Sequence, residues 1–251
     1  MKNIVEHMYQ NLSNPNKVIS TEPVYDNARQ LQCKSLIGSD VAKLTNGIGK
    51  QIGQSNFKKQ LGILLPNSNQ FVSSFYASIL NGHTVVGINE RIEIDELNKI
   101  IAENNLETIV SNNQFVELFD KAKVNVINLD SFNITQESSR LETSKKNPSF
   151  DDIMAVSYTS GTSESFSKGA KLSFENISFV SDEYKKAYSL NDNSQIVTVL
   201  PLWHNFAMFA CLTSSISANA STVIMPEWDS KHFIDINRQL KPDVFSGSPY
   251  M

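Results

Sequence analysis

The sequence predicts an α/β fold, mostly parallel sheet layers covered by helices, and three observations predict it. Helical and strand-like patterns alternate from one end of the chain to the other. The strand-like runs are short and continuously apolar, as expected of parallel strands buried on both faces. Only ten Gly and eight Pro interrupt 251 residues, too few for a turn-rich sandwich of short strands. With 40% hydrophobic residues the chain can bury a sizeable core, which excludes a disordered or fibrous class.

Each element follows from its spacing. Ile4, Val5, Met8 and Leu12 form one helical stripe; Val41, Leu44, Ile48 and Ile52 form another, with Ser39 or Asp40 placed to cap it. Leu61-Gly62-Ile63-Leu64-Leu65, bounded by Pro66, reads as a buried strand. Phe71, Val72, Phe75, Tyr76, Ile79 and Leu80 make a broad helical face that stops at Asn81-Gly82. A strand at 84–88, a helix around Ile94, Leu97, Ile100 and Ile101, and a strand at 108–110 follow. A short helix through Phe115, Leu118 and Phe119 leads to a strand at 124–129. Residues 131–149 are polar and aperiodic, and read as a linker or surface excursion. They divide a first βα portion, 1–130, from a second, 150–251. Beyond them come strands at 153–158 and 170–172, a helix at 175–190 and a strand at 195–200. A helix from about Phe206, a strand at 222–225, a helix at 230–240 and a strand at 244–246 complete the reading. Gly247-Ser248-Pro249 then reads as the opening of another helix that stops at Met251, which points either to a truncated product or to a different last element.

Charge and cysteine usage narrow the function classes. Lys and Arg number 22 against 26 Asp and Glu, a formal net charge of −4, which offers no bulk attraction to nucleic acid. Cys33 and Cys211 have no CxxC spacing and read as free, buried, inert thiols of a reducing compartment. The opening MKNIVEHMYQ has no apolar signal core. The charge-free stretch from Asn205 to Pro226 holds many Ser and Thr, so it reads as buried elements and not a membrane span. A cytoplasmic protein is expected. His7, His83 and His232 have no nameable partners and read as surface or capping residues. No metal site is expected.

The segment Thr159-Ser160-Gly161-Thr162-Ser163-Glu164-Ser165-Phe166-Ser167-Lys168-Gly169 carries the most chemistry. It follows a strand and offers hydroxyls and unhindered backbone N–H groups, with a lysine ammonium at its end. Those are the donors a polyphosphate needs. The same composition also suits a polar turn between two strands. It is not a Walker A loop, because Gly161 and Lys168 are too far apart and Gly169 follows the lysine. Gly47, Gly49 and Gly53 lie inside a helical stripe and make no dinucleotide fingerprint, and no GxSxG is present.

The segment resembles the phosphate loop of ATP-dependent acyl-adenylate-forming ligases, the AMP-binding enzymes that include acyl-CoA synthetases and adenylation domains. Their loop reads roughly TSGTTGxPKG before a strand and LSHxN; here TSGTSESFSKG precedes AKLSFEN. Leu200-Pro201-Leu202-Trp203-His204 is similar to the family's LPLFH, and the run from Leu61 to Glu90 to its strand–helix–strand. DVFSGSPYM resembles the approach to the family's next helix. The likeness runs from about Leu36 to Met251.

The resemblance implies that Thr159, Ser160, Gly161, Thr162, Ser163, Lys168 and Gly169 bind nucleotide phosphates, with Lys168 on the outer ones. It implies that His204 lines the acyl pocket near the reacting phosphate; around it Trp203, Phe206, Met208 and Phe209 could wall an apolar pocket, and a core helix would show the same residues. The residues alone leave His204 also readable as a partly buried histidine satisfied by a backbone carbonyl. The implied reaction activates a small-molecule carboxylic acid with ATP and Mg²⁺, then transfers it to a thiol such as coenzyme A. The family's adenine, ribose and C-terminal lysine motifs come later and have no counterpart in these residues.

Four departures stand out. The loop is one residue longer, Glu164 and Ser165 occupy the region of its second glycine, Ser167 replaces Pro, and Phe174 replaces the His of LSHxN. A fifth, Ala207, stands where a Gly often follows LPLFH. A Glu beside a triphosphate costs about 1 kcal/mol at ~4 Å in water. The competing expectation is a truncated or degenerate non-catalytic remnant. A half that needs a partner chain, or self-associates through uncovered apolar surface, belongs to that same alternative.

Overall fold

The computed structural model describes residues 2–27, 30–119, 124–158, 168–248 and 251. Two sheets form, and helices lie between and outside them. The first sheet contains β3 (Gln60–Ile63), β4 (Thr84–Gly87), β5 (Thr108–Ser111), β6 (Asn125–Asn128), β7 (Ile153–Tyr158) and β8 (Gly169–Ser173) in the order β6-β5-β3-β4-β7-β8. The second contains β1 (Val18–Tyr25), β2 (Leu31–Ile37), β9 (Gln195–Thr198), β10 (Ser221–Ile224) and β11 (Val244–Ser246) in the order β11-β9-β10-β1-β2. All neighbours are parallel except the outermost pairs β7/β8 and β1/β2. The α/β expectation holds, with an antiparallel strand at one edge of each sheet.

The layers follow from which helix faces are apolar. On the outer face of the first sheet, α4 (Ile94–Glu103) and the short α5 (Val116–Phe119) cover Val86, Ile109 and Val156. On the outer face of the second, α9 (Ser230–Leu240) covers Val197 and Val223 through Ile236 and Phe233. Between the sheets lie α1 (Ile4–Leu12), α2 (Gly38–Ile52), α3 (Asn69–Leu80) and α6 (Phe174–Ala187). With them lies a broken helix: α7 (Asn205–Ala207), a wide turn over Met208–Thr213, and α8 (Ser214–Ala218). α3 is the innermost, with every residue from Phe71 to Leu80 buried. A helix with no polar face needs cover on all sides, and the two sheets supply it.

The polar residues of α3 and its entry make that burial possible. The hydroxyls of Ser73 and Ser78 donate to the carbonyls of Gln70 and Ser74, so neither needs water. Tyr76 is fully buried and accepts a bond from Asn11 Nδ2 at 2.9 Å. At the amino end Ser68 caps the helix by accepting from the Phe71 N–H. Its neighbour Asn69 donates to the Lys34 carbonyl on β2 and accepts from Ser20 on β1. At the carboxyl end Gly82 has φ +77°, and a Cβ there would lie 1.9 Å from the Ser55 carbonyl oxygen. Asn81-Gly82 therefore ends the helix as the sequence predicts, because only glycine fits that turn.

Several expectations change. The β1–β2 hairpin is missing from the sequence reading, because VISTEPVY and LQCKSLI are neither continuously apolar nor cleanly alternating. Neither Ser39 nor Asp40 caps α2. Its boundary residue is Ile37, and the carbonyls of Lys17 and Pro15 take the free N–H groups of Gly38 and Ser39. Cys33 is exposed, because it sits on the outward-facing edge strand β2; Cys211 is buried. His83 is buried, not superficial, and burial plus the charges of Lys59 and Lys146 push its pKa down to about 4. The Asn205–Pro226 stretch folds as the broken helix and β10, and no described helix is long and apolar enough to cross a membrane. Residues 131–149 form no helix or strand and run along α2, where Asn46 donates to the carbonyls of Ser138 and Arg140.

Two stability outcomes follow. Gly82→Ala should destabilise more than Gly53→Ala: both positions have positive φ, but nothing lies within 4 Å of a Cβ at Gly53. The positive-φ penalty alone is about 1–2 kcal/mol, and urea unfolding of the two variants reads the difference. For His83 the unfolded chain protonates near 6.5 and the folded chain only near 4. Stability should therefore fall as pH drops through that window, and His83→Gln should remove that part of the slope. An unchanged slope in the variant would refute the assignment.

Candidate functional site

In parallel sheets ligands gather at the carboxyl ends of the strands, and of the sequence-predicted residues Lys168, Gly169 and His204 are described there. β7 ends at Tyr158, and β8 starts at Gly169, its direct partner. Thr159, Ser160, Gly161, Thr162 and Ser163 lie outside the described residues, so the structure fixes the two ends of their loop. Lys168 is exposed at the loop's far end, and Gly169 is the first residue of β8. A Cβ on Gly169 would meet the Tyr158 ring at 3.1 Å, so glycine lets the ring lie across the strand. The Tyr158 hydroxyl accepts from Asn104 Nδ2 at 2.5 Å and donates to Glu103 at 3.1 Å. Burial, with the nearby Glu103 charge, pushes its pKa up to about 12, so it remains neutral and anchors the β7 exit.

Gly87 is the corner of the site. It ends β4 and pairs with Ser157 on β7, one residue before Tyr158. On its other side the backbone of Trp203 lies 3.1–3.2 Å from where a Cβ would stand. The Leu200–His204 segment therefore crosses the end of β4 beside the exit of β7. The absence of a side chain at Gly87 lets these distant segments approach this closely. Three buried polar atoms in these segments, Ser157 Oγ, Trp203 Nε1 and Asn205 Oδ1, have no hydrogen-bond partner among the described residues. Buried polar groups are seldom left so, and they are chemically free to meet a ligand or water.

His204 is exposed and caps α7: its Nδ1 accepts from the Phe206 N–H at 3.3 Å. This corrects the alternative of a buried histidine held by a carbonyl. The ring stands edge-on to Trp203, with centroids 5.7 Å apart. Of the proposed apolar wall, Met208 belongs to the core and is fully buried, while Phe206 is exposed and meets Tyr184 edge-on. Trp203 and Phe209 are half-buried against the core. Phe174, where the family has His, is fully buried edge-to-face with Phe57, which accounts for an apolar residue there. Among the described residues no three His, Cys, Asp or Glu side chains gather to hold a metal ion.

The sequence reading missed Asn67. This buried residue, at the exit of β3, donates through Nδ2 to the carbonyls of Val199 and Leu200 at 3.2 and 2.9 Å. Its Oδ1 accepts the Leu202 N–H at 2.8 Å. The only signal was an Asn within a turn-like Pro-Asn-Ser-Asn run, which reads as ordinary loop chemistry.

The family model for AMP-binding enzymes matches residues 36–251. The chain belongs to the AMP-binding enzyme family. The chain is 27% identical over 170 residues to 2-succinylbenzoate–CoA ligase of Oceanobacillus iheyensis, covering 66% of this chain and 35% of that one. It is 25% identical over 231 residues to 4-coumarate–CoA ligase 1 of Arabidopsis thaliana, covering 78% and 40%. Among solved structures, the anthranilate CoA ligase AuaEII in complex with anthranoyl-AMP superposes with TM-score 0.81 at 21% identity, over 99% of this chain and 49% of that one. ATP-bound MatB from Rhodopseudomonas palustris gives TM-score 0.75 at 18% identity, over 94% and 48%. At those identities the solved structures show a shared fold. This AMP-binding enzyme chain thus spans less than half the length of each of these four proteins.

His204→Ala should cost at most about 1 kcal/mol, the worth of one helix cap, when measured by urea unfolding. A larger loss would mean that the histidine holds more of the fold than α7.

Proposed function

We propose that this chain supplies the phosphate clamp and part of the acyl pocket of an AMP-forming acid–thiol ligase. The convergence at Gly87 carries the reading: the residues flanking the Ser/Thr/Gly segment and the Trp203–His204 segment come together at the carboxyl ends of β4 and β7. The chemistry is attack of a carboxylate oxygen on the ATP α-phosphorus, with cleavage of the bond to pyrophosphate, which leaves. Charge on the departing phosphates is the main cost, and oriented donors lower it. Thr159, Ser160, Gly161, Thr162 and Ser163 supply hydroxyl and backbone donors, with Gly169 closing the loop. Lys168 adds an ammonium toward the β- and γ-phosphates, and His204 faces the acid. Mg²⁺ would neutralise phosphate charge, and no residue of this chain is assigned to it. Coenzyme A is the proposed acceptor, because the curated relatives described above are named as CoA ligases.

Calorimetric titration with tripolyphosphate and with ATP tests the clamp. The protein should bind both, and Lys168→Ala should weaken both by ~tenfold, equivalent to about 1.4 kcal/mol. Absence of binding by the unaltered protein would reject the clamp; equal binding by the variant would reject the role of Lys168. Acids for a following panel are 2-succinylbenzoate and 4-coumarate, after the relatives named above.

One observation favours a second reading, a half that needs a partner chain. Phe245 on the edge strand β11 is 37% exposed, beside Trp228 and Phe233 at 5.9 and 4.5 Å between ring centroids. Exposed aromatics on an open strand edge invite association. Light scattering that rises with concentration, and falls for Phe245→Ser, would support it.

A further inference from the structure

We infer that Asn67 is a positioning residue that fixes the Trp203–His204 segment over the β7 exit; the inference rests on the ligase reading for its ligand, but not for its geometry. β9 and β10 are hydrogen-bonded neighbours through Thr198 and Ile224, and the pairing ends there. Beyond that point the carbonyls of Val199 and Leu200 leave the ladder, and Pro201 has no N–H to offer. The next donor, Leu202, turns inward. A buried carboxamide suits this break, because it carries donors on nitrogen and an acceptor on oxygen. Asn67 uses both halves: Nδ2 takes the two carbonyls and Oδ1 takes the Leu202 N–H. The Met225 carbonyl, leaving β10, also lies 3.5 Å from Nδ2. The side chain replaces the ladder bonds that the diverging strands lose.

The consequence reaches the site because Asn67 belongs to the other sheet's connections. It lies between β3 and α3, while Val199–Leu202 leave the second sheet. Pinned from one side by Asn67 and resting on Gly87 from the other, the segment has one height above the first sheet. That height sets how far His204 stands from Tyr158 at the exit of β7. Ser68 and Asn69, next in sequence, are occupied with capping α3 and bonding β1 and β2. Neither can take over the role.

Two variants disturb the segment from opposite sides. Asn67→Asp keeps the shape and an acceptor for Leu202, but turns an oxygen toward the carbonyls of Val199 and Leu200. Gly87→Ala removes no hydrogen bond and pushes the Trp203 backbone by a few tenths of an ångström. In a Trp228→Phe background Trp203 is the sole tryptophan, and its emission maximum reports the segment. Both variants should shift that maximum. Calorimetry then compares tripolyphosphate with a coumaroyl sulfamoyl-adenosine, an uncleavable stand-in for acyl-AMP. Affinity for the acyl mimic should fall ~tenfold, about 1.4 kcal/mol, while tripolyphosphate binding changes less than ~twofold. Unchanged Trp203 emission in both variants, or equal losses for the two ligands, would overturn the proposal. If the unaltered protein binds neither ligand, the ligase reading fails and the Trp203 signal alone decides the role of Asn67.

Discussion

The fold depends on burying α3 on every side. A helix apolar all round cannot sit on a single sheet, because half of it would face water. Here two sheets close over it, and the side chains at its entry join them. Asn67 holds the strand exits of the second sheet, Ser68 caps the helix, and Asn69 bonds β1 and β2. Three consecutive polar residues thus fix the relation between the two sheets at the carboxyl end of the first. The same end carries the candidate site, so the tie that stabilises the core also holds that site's segments in place.

Asparagine recurs at the points where backbone leaves regular structure. Asn67 fills the break beyond β9, and Asn46 holds residues 131–149 by donating to Ser138 and Arg140 and accepting from Glu142. Asn81 donates to the Thr45 and Ala77 carbonyls where α2 and α3 meet. For Asn67 and Asn46 one planar amide satisfies carbonyls of irregular backbone, whereas Asn81 adds a second donor to carbonyls of the two helices. An unpaired buried carbonyl costs about 1–3 kcal/mol, so such residues hold long irregular connections in a fixed course. Glycine does the complementary work at Gly82 and Gly87, where absence of a side chain lets backbone approach.

Much of this was legible in the sequence. The buried strands and the α3 face were plain because continuous apolar runs and 3.6-residue spacing have few other uses, and α9 and β11 fall where their patterns put them. The β1–β2 hairpin was not, because a half-exposed edge strand such as LQCKSLI mixes apolar and polar residues without a period. The Ser/Thr/Gly segment and the Leu200–His204 run were legible as patterns in the sequence. Their meeting at Gly87 was not, because contact between distant segments depends on register and on one missing Cβ. His83 and Cys33 were misjudged for the same reason: burial is a property of the assembled layers, and neither residue's neighbours announce it.

A crystal structure of the protein grown with tripolyphosphate and the coumaroyl sulfamoyl-adenosine tests the central claim most directly. The account predicts phosphates on the loop between Tyr158 and Lys168 and the acyl group against Trp203 and His204. Ligand bound away from the Gly87 corner, with that loop turned aside, would contradict it.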